Sequence, residues 1–417
     1  MANEHLMYAE EATWGTYVPP TVAIPVTAAS LAPAQPQMNN DDTGGGRARR
    51  PGGLGEKTVA GPITTKLYGL GVPALVASMY GARDVDADGT GFKNKLLPDD
   101  DVPFESFSFQ KRFTDTLAES IRGAKLNGYT VGARSKEFAT LETRWVAKDA
   151  AISGGQWADA EPAVAITSSS VATPTVITTA SPHGFATGDR VVIAGHTGST
   201  PAVDGTYTIT VTGASTFTVP VAVSVGGTGG TATEIAPAVI DPPAYPADQP
   251  DALKFNQGVM RTGGTTALTA GEITWTGGAD RCEFDNVAVE VNNNLSNDAF
   301  GVCLGDPTVQ SVDEGRREVT IRFEPNFATV GGEFYRHWLE SDDMTFQLYF
   351  ESAQEYDTGK TYRWAWTFPL VRVTSAPTPE LNAAYGLKRQ TVEAMAYHDD
   401  TLGVDQGLVI HTGDDLT

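Results

Sequence analysis

Between Asp285 and Phe323 the chain twice places an apolar residue at every second position, in Val287-Val289-Val291 and Val319-Ile321-Phe323, with Glu290, Asn292, Thr320 and Arg322 in the intervening places. A period of two belongs to extended backbone, whose successive side chains point to opposite faces. Each run therefore predicts a half-buried strand with one face for a core and one for water. Strands need neighbours, and the chain supplies them. Lys57 to Leu67, Phe104-Phe107-Phe109, Leu117 to Val131, Leu141-Thr143-Trp145-Ala147, Phe346-Leu348-Phe350, Trp364-Trp366-Phe368, Leu370 to Val373 and Leu387 to Met395 read as antiparallel strands, and the core resumes after a proline-rich return with Lys254 to Gly258 and Gly271 to Trp275.

Helical spacing enters at two places. Leu70 to Tyr80 predicts a short amphipathic helix stopped by Gly81. Glu333 to Leu339 predicts a second, with Phe334 under Trp338 and Tyr335 under Leu339 at i, i+4. The fold class is mainly β: a sandwich or barrel core with one or two short helices, plus an inserted small all-β domain.

The insert shows as a change in composition. From Ala165 to Ala238 the chain is Thr, Val, Ser and Gly, with Asp189, Asp204 and Glu234 against Arg190 as its charges. Nearly all of the formal net charge of -22 therefore lies elsewhere. We divide the chain into a core over residues 1–164, the insert over 165–238, a second part of the core over 239–400 and a loose tail over 401–417.

The segments outside the strands carry the candidate sites. An extended arm to Ser30, broken by Pro19, Pro20 and Pro25, suits contact with a neighbour better than a place inside a sheet. Residues 34–55 hold Gly44-Gly45-Gly46 and then Arg47, Arg49 and Arg50, a composition that cannot bury enough apolar surface to order itself alone. These three arginines are the assembly candidates, suited to an acidic neighbouring subunit. Asp84-Val85-Asp86-Ala87-Asp88-Gly89 matches the first half of a calcium-binding EF-hand loop, but Lys95 stands where the twelfth position needs a bidentate Glu. It reads as a solvated acidic loop rather than a cation site, and Asp99-Asp100-Asp101 as another.

Several function classes are excluded. No Gly-x-Ser-x-Gly, Walker loop or His-Glu-x-x-His is present, and the six histidines lack ligand spacing, so we read neither enzyme, cofactor nor metal site. His183, within Pro-His-Gly-Phe, predicts a tight turn packing Phe185 inward rather than a catalytic base. The acidic balance argues against gripping nucleic acid, and no apolar run reaches the roughly 18 residues of a membrane span. The N-terminus lacks the pattern of a signal peptide. Cys282 and Cys303 make no disulfide framework and read as thiols of a reducing cytoplasm.

The strand ending Asn292-Asn293-Asn294-Leu295, its connection and Arg317-Glu318-Val319-Thr320-Ile321-Arg322-Phe323 resemble the second half of major tail tube proteins of long-tailed, siphovirus-like bacteriophages. The opening Tyr8 to Pro20, followed by Val22 to Val26, is similar to that family's start, and Arg122 to Val131 resembles the middle of its core. Within the insert, Ser181 to Ile193, Asp204 to Val211 and Ser215 to Val219 resemble a small β-barrel module of phage structural proteins, related in pattern to a half-domain of ubiquitin-activating enzymes.

The resemblance implies rings of six copies stacked around a tape-measure protein, with tail terminator and baseplate or tail-tip proteins as partners. It further implies a fold akin to type VI secretion tubes. In such a virion tail, assembled in the host cytoplasm, genomic DNA passes through the lumen without specific binding, and an acidic wall would let it slide. The long loop at 34–55 resembles the one these proteins use between rings. The competing reading is a tail or capsid surface decoration protein that binds host glycan or protein through the insert.

Overall fold

Two long strands, Leu117–Arg134 and Lys360–Ser375, each serve two groups of neighbours. Along the first, one edge is taken by Ser106–Thr114 and then by Phe284–Asn292, and the other edge by Asp149–Ile152 and Thr140–Ala147. The hand-over needs a bend. Gly123 supplies it with φ +68°, and the pairing register shifts between Leu126 and Gly128. Along the second, Asp343–Asp357 runs on one edge while Gly407–Thr412 and Val392–Ala396 share the other. The computed structural model describes residues 4–40, 50–158, 163–245, 250–282, 284–300, 307–327, 330, 332–379 and 388–416.

Between the two groups lies one core dominated by aromatics. Trp145, Phe107, Phe109, Tyr129, Trp364, Trp366, Phe346 and Phe323 all belong to it and all are buried. The opening alternation holds: Phe284–Asn292 pairs antiparallel with Glu318–Pro325, Val289 opposite Ile321, and Val289, Val291, Val319 and Ile321 are buried. On the wet face Glu290 lies 3.0 Å from Arg144, and Arg322 lies 3.0 Å from Glu393. The fold is mainly β, with sheets forming a sandwich approaching a barrel.

The strands of Val164–Ser169 through Thr231–Ile235 form a separate seven-stranded sheet around Ile177, Val191, Ile193, Phe217 and Val219. His183 sits in it as a structural residue. It is buried, stacks on Phe185 at 5.0 Å and accepts the Phe185 N–H at Nδ1.

Several expectations are corrected. The N-terminal arm contains a fully integrated strand, His5–Glu11, paired on both edges with Leu6 and Met7 buried; its prolines lie beyond the strand's end. The Gln37–Asn40 and Arg50–Leu54 segments of the 34–55 region pair into a hairpin. The calcium-like stretch is a β-hairpin, Ala82–Asp88 with Gly91–Leu97, turned at Gly89 with φ +71°. In the helix Gly332–Glu340, Phe334 packs on Phe323 at 4.9 Å and Trp338 on Tyr335 at 5.9 Å, while Leu339 is exposed. The supposed tail supplies Gly407–Thr412, a strand between Lys360–Ser375 and Gly91–Leu97 with Leu408 and Ile410 buried.

The first helix, Pro73–Ala77, is shorter than its pattern predicts and buries four of its five residues, so it is a core plug rather than an amphipathic surface helix. Gly81 is required there for space: a Cβ would meet the Cβ atoms of Val102 and Asp99.

Candidate assembly surfaces

The hairpin of Gln37–Asn40 and Arg50–Leu54 leaves Met38 58% and Leu54 61% exposed. Two large apolar side chains on a narrow ribbon form a surface that gains from being covered. Its base is anchored. Lys57 donates its ammonium to Asp149, itself fully buried, at 2.5 Å, and its backbone N–H to Pro307 O at 2.8 Å. Of the assembly candidates, Arg47 and Arg49 lie outside the described residues, and Arg50 begins the second strand of the ribbon.

Asp149 also links the ribbon's base to the seven-stranded sheet. Its Oδ2 lies 3.9 Å from Arg122, and Arg122 reaches Glu234 at 3.5 Å while its guanidinium covers the Trp157 ring at 4.3 Å. The return of the chain is held by Gln110, which accepts from Ile240 N at 2.8 Å and donates to Ala238 O at 3.0 Å. Arg122 carries no sequence signal beyond its charge; its role depends on partners 27 and 112 positions away.

Several strands pair on one side only among the described residues. Ala82–Asp88, Val22–Ile24 and Ala279–Arg281 each have a single partner strand. Open edges carry unpaired N–H and C=O groups, the usual template for adding a strand from another chain. On Ala82–Asp88 the carboxylates of Asp84 and Asp86 lie 3.0 and 2.7 Å from the ammonium of Lys95, whose side chain is only 4% exposed. A lysine therefore occupies the position that a cation would take in the calcium pattern. At the hairpin's tip Asp88 accepts from Lys360, from Tyr356 at 2.7 Å and from His411 at 3.0 Å, and the Lys360 hydrogen bond foremost holds its carboxyl well below the usual range. No cluster of three or more His, Cys, Asp or Glu able to hold a metal occurs among the described residues.

A cavity of about 640 Å3 opens where the Asn292–Asn294 corner meets the approach to Glu318–Pro325 and the end of Val392–Ala396. Its wall is set by short bonds: Asn127 O accepts from Asn293 N at 2.8 Å, and Asn294 donates to Arg316 O at 2.8 Å. Asp99-Asp100-Asp101 is tied in here, since Asp100 lies 3.2 Å from Arg317. The sequence offered no sign of this cavity except the three consecutive asparagines. Among the described residues no helix is long and apolar enough to cross a membrane.

A family model described as phage tail tube protein matches residues 1–215, about half of the chain and running past the start of the seven-stranded sheet. No curated protein matches the chain.

Proposed function

This chain belongs to the phage tail tube protein family, and on that premise we propose that six copies close into a ring, that rings stack into a tube, and that the tube conducts the genome during ejection. The family makes it a structural protein of the virion tail that self-assembles with other tail proteins, and not an enzyme. The proposal adds the stoichiometry, the conduit and its acidic lining. It also assigns the tape-measure, terminator and tail-tip partners, a siphovirus-like tail and assembly in the host cytoplasm.

The observation that carries the ring is the set of strands with one open edge, Ala82–Asp88 above all. A heterologous edge contact that closes by rotation yields a ring without unsatisfied edges. The acidic lining is supported by the net charge of -22, borne almost wholly outside the 165–238 segment. DNA is a dense line of negative charge, so such a wall repels it evenly and offers no counterion-release grip.

We assign residues 1–164 and 239–400 to the tube wall, together with the strand Gly407–Thr412, and 165–238 to an appended module. Arg47, Arg49 and Arg50 are assigned to contacts between neighbouring subunits.

Electron microscopy of the purified protein tests the assignment. Six-fold rings or hollow tubes are expected, and a map of the tube should show an inner surface of carboxylates. Monomers at every concentration, or a lumen lined by Lys and Arg, would overturn it.

A further inference from the structure

Along Lys360–Ser375 and Gly407–Thr412, Trp364, Trp366, Leu408 and Ile410 belong to the core, so Arg363, Ala365, Thr367, Val409 and His411 in the alternate places face away from it. On that outer face lies a hollow of about 270 Å3, partly roofed by the hairpin of Thr265–Thr269 and Glu272–Thr276. Ala365 and Val409 keep its floor low, while Lys93, Arg261 and Arg363 rise around it. The roof is fastened at its tip, where Ala270 O accepts from Lys95 at 2.9 Å and Glu272 meets Lys93 at 2.6 Å. Trp275 walls one side with its ring, its N–H being engaged with Gly277 O at 2.8 Å.

The charges around the hollow do not balance. Lys93 is answered by Glu272, and Arg261 by Asp280 at 2.5 Å. His411 turns Nδ1 to Asp88 over 3.0 Å. Arg363 stacks on Tyr349 at 4.6 Å, but its guanidinium has no ion pair or hydrogen bond among the described residues, and its Nε is enclosed without a partner. Glu351, opposite it on Asp343–Asp357, accepts from Thr361 instead. A chain with 51 acids thus leaves this half-buried cation unanswered, beside two others.

We propose that the hollow binds a phosphate group, as the free ion or as a small phosphate ester, on the Nη groups of Arg363, with Lys93 and Arg261 completing a positive surround. A guanidinium fork matches two phosphate oxygens at once, and several cations suit a group that carries up to two negative charges where a carboxylate carries one. The volume falls just under the range of about 300–1,000 Å3 usual for ligand pockets, which admits a small molecule beneath Trp275 and not a duplex or a folded partner. Bound there, the anion relieves the repulsion among the three cations and steadies the hairpin over the sheet. The site belongs to the single chain and stands whether or not the ring-and-tube reading does.

Isothermal titration calorimetry of the full-length protein with inorganic phosphate, at an ionic strength held constant with chloride, tests it. One saturable site per chain is expected, weakened about tenfold or more by Arg363→Gln. Ala365→Leu raises the floor and leaves every charge in place, and it should abolish the site as well. Phosphate should also raise the melting temperature of the parent more than that of either variant, a comparison that cancels the general stabilisation by excluded salts. Adenosine monophosphate separates the two sources. Affinity equal to or above that of inorganic phosphate assigns the hollow to an ester, with the base against Trp275, and lower affinity assigns it to the free ion. Heat that never saturates, or a site of unchanged affinity in Arg363→Gln or in folded Ala365→Leu, would overturn the proposal. Should Ala365→Leu fail to fold, Arg363→Gln decides alone.

Discussion

The indole N–H of Trp366 donates to the hydroxyl of Tyr129 over 2.9 Å, and the same hydroxyl lies 2.8 Å from that of Tyr80. Tyr129 sits on Leu117–Arg134 and Trp366 on Lys360–Ser375, so this bond joins the two strands that organise the fold at the centre of the core. All three side chains are buried. Burial pushes the Tyr129 hydroxyl above its usual range, which keeps it protonated and able to donate as well as accept.

Tyr129→Phe should therefore cost more than one hydrogen bond. It strands the Trp366 N–H and deprives Tyr80 of its nearer partner, so a loss of about 1–3 kcal/mol is expected in denaturant unfolding. Trp366→Phe removes the donor and opens space as well, and should lose at least as much. Equal stability for parent and Tyr129→Phe would show that the bond contributes nothing net.

Gly128→Ala tests the hand-over of neighbours along the first long strand. A Cβ at Gly128 would run into the carbonyl oxygen of Val291 on the paired strand, and backbone cannot swing aside as a side-chain end does. Overpacking of this kind costs about 1–3 kcal/mol. Gly132→Ala, whose Cβ would meet Val287 O at 3.7 Å, lies in the same strand and should leave the unfolding midpoint nearly unchanged. Similar losses for both would point to a general need for glycine there rather than to this one close approach.

The contrast between legible and illegible elements follows from where the information lies. Strands with alternating Val, Ile, Phe and Trp were legible because period-two burial is written locally, as in Val287 to Val291. Partners were not, since His5–Glu11 pairs with Ser106–Thr114 a hundred residues on, and both of its faces are covered. The strand Gly407–Thr412 carries a local signal of its own, the apolar run Leu408-Val409-Ile410, but its acidic flanks at Asp405, Asp414 and Asp415 make the segment read as a loose terminus until two neighbouring strands enclose it. At Asp84 to Lys95 the calcium pattern obscured a second signal, Asp88-Gly89, which marks a hairpin turn. The cavity at Asn293 was invisible because a hollow between distant strands is a property of packing, and the arginine run was legible because charge density is a property of sequence.

Asp88 should show in the pH dependence of stability. Its carboxyl is held low chiefly by Lys360, then by Tyr356, with His411 also contributing. A folded-state pKa below the unfolded one adds stability that is present above the ordinary carboxylate range and lost as pH falls through it towards the folded value. Glu11, Asp189 and Asp414 are pushed up by burial and work in the opposite sense, so the total slope mixes signs. The difference between parent and Asp88→Asn isolates the group. That difference should be largest near neutrality and shrink below about pH 4. A gap that stays constant down to strongly acidic pH would show that Asp88 acts through shape alone.

Calcium should have no effect on the hairpin that resembles its loop. The ammonium of Lys95 lies within 3.0 Å of both Asp84 and Asp86 and is shielded from water, so a bonded cation already sits between the two carboxylates and balances one of their two charges. Extended backbone also turns Asp84 and Asp86 along one face instead of wrapping them around a point. Thermal unfolding in chelator and in millimolar calcium should coincide. A rise of several degrees with calcium that vanishes in Asp84→Asn would place an ion there after all.

Removing the seven-stranded sheet tests how the wall depends on it. Val164–Ser169 through Thr231–Ile235 have their own apolar cluster, and the principal link to the wall is polar: Arg122 with Glu234, backed by Trp157. Trp157, Ala151 and Ala236 form a small cluster of their own at the junction, so a deletion should spare residues on both sides of it. With 165–233 replaced by a short glycine linker, Glu234 and the Gln110 clasp on Ala238 and Ile240 remain to hold the return. Val164 loses its pairing with Ala232, a local cost at the rim of the wall. The shortened chain should fold and form tubes of unchanged inner width and smaller outer width under the electron microscope. A shortened chain that folds by circular dichroism but never assembles would make the module part of the ring contact itself, and would turn attention to Arg122, which lies between Glu234 of the module and the buried Asp149 at the base of the ribbon.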